Sequence, residues 1–244
     1  MSAEPVKLFG LLKRRSDRTL GQFAHHWRTR HRDLSLLLIA PGIMDGYVQN
    51  HRIMEGGEIP GLTLAGDGFP ELWTHGHDLL ARLATAPEYL EGAYLDEPNL
   101  MGGRPEALLA TEHIIDGGVG RLAGALQIKA MIFFRRAEGL DRERFNAKFL
   151  RPRHPLLLSD ARSTPTRLTR HLSINLPGKD TDKICEAVQN YDAIEASYWP
   201  DAAAFHAAWT TRSKDPSWIN AAATVGVLVR EEPVLFTHYP SPGL

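Results

Sequence analysis

The sequence predicts an α+β fold: two ferredoxin-like βαββαβ repeats in tandem, closing an eight-stranded α+β barrel within one chain. Three observations predict it. An apolar strand ending in a basic pair occurs twice, as Val6-Lys7-Leu8-Phe9-Gly10-Leu11-Leu12-Lys13-Arg14-Arg15 and as Ile128-Lys129-Ala130-Met131-Ile132-Phe133-Phe134-Arg135-Arg136. Each copy leads to a helix N-cap residue, Thr19 or Asp141, four positions before Phe23 or Phe145, which sets an offset of 122 residues. Further pairs keep nearly that offset: Trp27 with Phe149, Tyr47-Val48 with His171-Leu172, Glu71 with Glu195 and Leu109 with Leu228.

The elements follow in order. Residues 6–13 form an apolar run suited to a strand buried on both faces. Leu20, Phe23, Trp27, Leu34, Leu37 and Leu38 recur at helical spacing over 19–39, and Pro41-Gly42 ends that helix. Strands are predicted at 46–53 and 68–74 around a turn-rich loop at 61–66. A helix at 76–84, a looser stretch to 104 and a strand at 107–115 complete the first half. The second half repeats the order, with strands near 127–134, 168–176, 192–199 and 224–236 and helices near 141–150 and 200–210. A βαββαβ unit leaves one sheet face bare, and two units in one chain can cover each other. The predicted division is 1–115, a glycine-rich linker at 116–126, and 127–244.

Composition narrows the class of function. The 244 residues are 43% hydrophobic and 23% charged with a formal net charge of -1, so there is material for a core and no field to gather polyanions. Nucleic acid and membrane are not expected partners, and a small molecule is. The single cysteine, Cys185, excludes an intrachain disulfide framework and cysteine-based metal sites, and its apolar neighbours point to a packed thiol. The first residues lack the pattern of a signal peptide and no transmembrane-length apolar run occurs, so a soluble, cytoplasmic protein is expected.

The run Phe23-Ala24-His25-His26-Trp27-Arg28-Thr29-Arg30-His31, then Tyr47-Val48-Gln49-Asn50-His51, then Asp67-Gly68-Phe69-Pro70-Glu71-Leu72-Trp73 resembles the EthD family of dimeric α+β-barrel proteins. Asp96-Glu97, placed in a loop before the last strand, fits the same pattern. The resemblance covers 5–115 well and 127–236 weakly, and implies an intrachain dimeric α+β barrel. The second half departs from it: Trp27 becomes Phe149, a residue is inserted before His154, Asn50-His51 becomes Ile174-Asn175, and the Asp96-Glu97 loop is absent. A working pocket is therefore expected in the first half. The resemblance implies dehydratases and decarboxylases of polyketide-like aromatics, cofactor-free monooxygenases and isomerases, and haem-binding relatives.

Four residues separate Trp27 from His31, so both project from one helix face and an aromatic wall adjoins an imidazole. The alternative is a helix-end or satisfied core histidine. His25 is expected in solvent. His26 and His31, five apart, are poorly spaced for chelation, and no metal site is expected. Tyr47, Gln49 and His51 share one face of a strand and Val48 and Asn50 the other, and the pattern does not say which is inward. Asp67 and Glu71 flank the third strand, with Trp73 on the face of Glu71; a carboxylate beside Trp is costly unless paired or protonated. Glu71 could instead lie in water or pair with Arg28 or Arg30.

The leading expectation is a lyase or dehydratase acting on an aromatic or polyketide-like substrate without a cofactor. His31 would be the general acid or base, with Glu71 or Asp67 orienting it or taking the opposite proton role. Trp27, Tyr47, Asn50, His51 and Trp73 would bind substrate. The alternatives are an oxygenase on the same barrel, either cofactor-free or with haem on His154 or His171, and a non-catalytic binding barrel. Two such chains could form a homodimer.

Overall fold

The computed structural model describes residues 5–117, 127–152, 154–158, 165–174, 185, 187–188, 190–211 and 216–236. Most of the predicted linker, and Asn175, lie outside the described residues. The long strands are β1 (Pro5–Leu11), β2 (Gly46–Arg52), β4 (Gly68–His75), β5 (Glu106–Asp116), β6 (Ile128–Phe134), β7 (Arg167–Ser173), β9 (Ala193–Trp199) and β10 (Val225–Phe236). They pair in the order β1-β4-β2-β10-β6-β9-β7-β5, and β5 returns to β1, so the sheet closes as an antiparallel barrel. Closure leaves none of these strands with a bare edge. The two-residue strands β3 (Thr63–Leu64) and β8 (Ala187–Val188) lie parallel to β10 and β5.

Each half contributes four neighbouring strands, β5-β1-β4-β2 and β10-β6-β9-β7, and the seams are β2–β10 and β5–β7. Register corrects two of the sequence pairings. Phe9 lies opposite Glu71, and Met131, 122 residues later, lies opposite Ala196. The residue placed like Glu71 is thus Ala196, and Glu195 points to the other face, since one residue of slip turns every side chain over. By the same register Val48, opposite Glu71, corresponds to Thr169, opposite Ala196, so the pairing of Tyr47-Val48 with His171-Leu172 fails. Leu109 and Leu228 keep their pairing, opposite Leu8 and Ala130.

Inside the barrel lie Phe9, Phe69, Leu108, Met131, Phe133 and Val227. Helices cover the outer face. In the first half α1 (Leu20–His26) starts at a Thr19–Gln22 capping box, as the sequence suggests. It runs through a π turn at Trp27–His31 into α2 (Arg32–Ser35) and a 3-10 turn at Leu36–Leu38. The stretch predicted as loose is largely helical: after α3 (Leu79–Leu83) comes a second π turn, Tyr89–Ala93, and then α4 (Tyr94–Leu100). Gly92 lies within this turn beside Leu34 and Leu37, and Pro98 is carried inside α4. In the second half α5 (Arg142–Leu150) and α6 (Ala202–Trp209) begin at Asp141 and Asp201, whose side chains accept from the N–H groups of Arg144 and Ala204. Among the described residues no helix is long and apolar enough to cross a membrane.

Candidate active site

Two π turns face each other across the outer surface of the first half, and the sequence explains how each is held. Phe23 and Trp27 settle on β4 because residue 68 is glycine: a Cβ there would stand 2.5 Å from Trp27 Cζ3 and 2.9 Å from Phe23 Cζ. Trp27 Nε1 donates to Tyr47 Oη at 2.9 Å, and Gln49 Nε2 donates to the same phenol at 3.0 Å and to the Trp27 carbonyl at 2.9 Å. Burial pushes the Tyr47 phenol up to about 12, so it stays neutral.

Within the first π turn the Arg32 N–H reaches back to the Trp27 carbonyl. Such a turn brings residues five apart onto one face, which 3.6-residue spacing does not. His26 Nε2 and His31 Nδ1 accordingly both meet Oδ2 of Asp96, at 2.9 and 3.1 Å, while Arg30 Nε donates to Oδ1 at 3.1 Å. Asp96 is on α4 and 2% exposed. Burial alone would raise its pKa, but the hydrogen bonds from His31 and His26 outweigh it and hold the carboxyl well below the usual range. The carboxylate can only accept, so His31 Nδ1 carries the hydrogen and Nε2 is the basic nitrogen. Among the described residues nothing bonds Nε2.

His31 lines a cavity of about 90 Å³ between helices and sheet, walled by Trp27, Tyr47, Leu8, Leu72, Leu80 and Leu83. Tyr89, Glu97, Met101 and Cys185 also line it. Burial pushes the Cys185 thiol up to about 12, with Glu97 adding to the effect, so this thiol is packed and unreactive. An outer cleft of about 660 Å³, bordered by Arg15, Tyr94, Pro98 and Arg104, shares Glu97 and Met101 with the cavity. Tyr89 Oη donates to Glu97 Oε1 at 2.5 Å. Burial pushes the Glu97 carboxyl up to about 7 against the opposing pull of Tyr89 and Arg104.

The residues expected to form one site are divided between two faces. Trp27, His31 and Tyr47 meet at the cavity, and His51 lies beside them, its ring 4.5 Å from that of Trp27. His51 Nε2 approaches Gln49 Oε1 at 3.0 Å, and burial brings its pKa down to about 4, with Arg28 adding, so it is neutral. It borders a shallow cleft with Arg28 and Arg52 and not the cavity of His31. Asn50, Glu71 and Trp73 point into the barrel. There Lys7 Nζ meets Glu71 at 3.3 Å and Glu112 at 2.9 Å and stands 4.2 Å over the Trp73 ring. Lys129 bonds Glu71, Glu231 at 3.0 Å and Asn50 Oδ1 at 3.2 Å. The two lysines overcome burial and keep Glu71 ionised.

Glu71 therefore lies across the sheet from His31 and cannot orient it; Asp96 does. Nor does Glu71 pair with Arg28 or Arg30, which go to Glu232 and Asp96. Asp67 is held at the strand end by the Arg14 N–H and Arg52 Nη1, each at 3.1 Å, and takes no part in the cavity. His25 is exposed, as expected. Sequence reasoning missed Asp96 and Glu97 as site residues because their segment reads as a loop; the adjacent acids were the one available signal.

In the second half the described residues of the corresponding layer pack closely. Phe145, Phe149, Trp199, Phe205 and Trp209 pack into one core. Arg170, fully buried, donates to Glu195 at 2.9 and 2.7 Å and to the carbonyls of Pro152 and His154. Haem does not fit these residues. His171 is inside the barrel, 4.8 Å from Phe9, with its pKa brought down to about 3 by burial and Lys7. His154 Nδ1 lies 3.0 Å from the Pro155 carbonyl, beside that packed core. Among the described residues no group of three or more His, Cys, Asp and Glu side chains could hold a metal ion.

No family model matches the chain, and no curated protein matches it. Solved structures do. An anthrone oxidase-like protein aligns with a TM-score of 0.51 at 10% identity, over 99% of both chains. A variant chlorite dismutase from Candidatus Nitrospira defluvii, in complex with cyanide, aligns at 0.47 with 9% identity over 96% of this chain and 93% of its own. A presumed monooxygenase from Lactobacillus acidophilus NCFM aligns at 0.43 with 8% identity over 93% of each. The first of these likenesses carries the fold: the chain is a closed antiparallel α+β barrel, with its eight long strands in one polypeptide. None of them reaches the EthD family itself, and none supports a lyase.

Proposed function

We propose that the chain is a cofactor-independent oxygenase of EthD-like, two-repeat organisation, acting on an electron-rich aromatic or polyketide-like hydroxy-ketone. The observation that carries this reading is the His31–Asp96 pair with its basic Nε2 at an apolar cavity. His31 removes a proton from carbon beside the carbonyl, and Asp96 stabilises the imidazolium that results. Trp27, Tyr47 and the leucines exclude water, and the carbanion delivers electrons to dioxygen. Over the full reaction a CH₂ group and O₂ become a carbonyl and water. The cavity is small beside the ~300–1,000 Å³ of typical ligand sites, so the reacting edge of the substrate enters it while the remainder occupies the outer cleft.

The lyase favoured by the sequence uses the same first proton transfer, and oxygen separates the two. The test is oxygen uptake by purified protein with an anthrone, in the presence of a chelator. Uptake matched by ketone formation and lost in His31→Ala is the expected result. Product formed equally fast without oxygen would establish elimination in its place, and no turnover of an anthrone or related hydroxy-ketones would remove the assignment.

A further inference from the structure

We propose that Glu97 is a second acid–base residue of this site, giving the proton that the oxygen-bearing intermediate consumes and recovering it from water in the outer cleft. This rests on the oxygenase reading above. Two features of the geometry lead to it. Glu97 is common to the cavity and the cleft, with Met101 beside it, so this residue stands between the inner chamber and the outer cleft. It also differs from the other inner acids: Glu71, Glu112, Glu195 and Glu231 each meet a lysine or arginine, whereas Glu97 accepts from the Tyr89 phenol, and among the described residues no cation stands within 4 Å of it. A partly buried carboxyl with no cation in contact favours its protonated form, which can donate.

Neighbouring positions on α4 project about 100° apart. Asp96 turns to His26, Arg30 and His31, while Glu97 turns to Tyr89. Among the described residues the charged and titratable groups facing Glu97 are Tyr89 from the second π turn, Asp96 on its own helix, Arg104 ahead of β5 and Cys185 across the cavity. Arg15 borders the cleft but is held by Asp17 at 2.9 and 2.7 Å. The adjacent acids thus divide the work: Asp96 stays ionised and serves the base, and Glu97, raised to about 7, keeps a protonated fraction at neutral pH and serves the oxygen.

The sequence of steps balances. His31 Nε2 takes the first C–H proton, and the carbanion adds O₂ to give a peroxide anion. The Glu97 O–H bond breaks as its proton passes to the terminal peroxide oxygen, and the carboxylate regains a proton from the cleft. His31 releases its first proton to solvent and takes the second from carbon, which forms the carbonyl and breaks the O–O bond. The departing hydroxide takes up a proton and leaves as water, so two protons leave carbon and two are consumed.

The test separates carbon deprotonation from oxygen chemistry on anthrone. Exchange of its acidic C–H in heavy water without oxygen reports His31, and oxygen uptake reports both residues. Wild type is expected to show both, with uptake falling above pH 7 as Glu97 ionises. Glu97→Gln keeps the exchange, loses uptake by ~10²–10⁴-fold and loses that alkaline limb, while Glu97→Asp recovers part of the rate. Should Glu97→Gln not fold, Tyr89→Phe serves: without the phenol the carboxyl is harder to ionise, and the limb moves to higher pH. Uptake in Glu97→Gln equal to wild type, equal loss of exchange and uptake, or an unmoved limb in Tyr89→Phe overturns the role of Glu97 and leaves the oxygenase reading standing. A wild type that neither exchanges nor takes up oxygen removes both.

Discussion

The same layer, helices over the outer face of four strands, holds a cavity in the first half and, among the described residues, a packed aromatic cluster in the second. Over β1, β2 and β4 the aromatic residues stand around a space; over β6, β7 and β9 the described ones pack on one another, and where the first half has Gln49 the second has Arg170, paired with Glu195 and bonded to the backbone of the loop after α5. A packed layer gains dispersion energy and hydrophobic burial, so a cavity beside it forgoes stability. The half with the cavity is where function would be sought even if nothing were known of His31.

The largest effect expected of breaking this contrast is catalytic. His31→Ala should lower turnover of an anthrone by ~10²–10⁴-fold, and His154→Ala only a few-fold, compared per folded molecule in oxygen-uptake assays. Equal losses would mean that both halves contribute to one site.

Stability comes next. Phe149→Ala opens the packed layer and should cost about 3–5 kcal/mol in urea unfolding, with turnover per folded molecule unchanged. Glu71→Gln leaves Lys7 and Lys129 without their shared carboxylate and should cost a similar ~3–5 kcal/mol, again with turnover unchanged. A fall in turnover with full stability would return Glu71 to the site from which its position inside the barrel removes it.

The smallest effect is a pH dependence. His51 is neutral in the fold with its pKa brought from 6.5 to about 4. The unfolded chain binds the extra proton between those values, so stability is intact above pH 6.5 and falls as pH drops toward 4, at no more than about 1.4 kcal/mol per pH unit. His171, brought from 6.5 to about 3, acts in the same direction inside the barrel. Replacing His51 by Gln should flatten part of the slope in melts between pH 7 and 4; an unchanged slope would assign all of it to His171 and to carboxylates.

Much of the architecture was legible. Thr19 and Asp141 cap helices as read, and the strand order follows from short apolar runs with turn residues between them. Strand parity was not legible, because a barrel under helices buries both faces: β2 is buried at Gly46 through His51, so alternation says nothing about whether Tyr47 or Asn50 meets the cavity. The Glu71–Glu195 pairing failed for a related reason, since two halves compared by sequence tolerate a one-residue slip that a pleated strand does not. Of the candidate site, the shared cavity wall of His31, Trp27 and Tyr47 was legible. Its other half was hidden by two π turns, one of which makes His26 and His31 co-facial against helical arithmetic while the other belongs to a segment that Gly92 and Pro98 disguise.

The ionic cluster inside the barrel also marks the two halves as different from each other. Lys7 and Lys129 stand at matching places, but the acid they share comes from the first half alone, since the second has Ala196 where the first has Glu71. Each lysine also keeps an acid from its own half, Glu112 for Lys7 and Glu231 for Lys129, so Glu71 is the one group through which the two halves share charge. The interior is therefore a joint product of both halves, and a change at residue 71 is felt by a lysine of each.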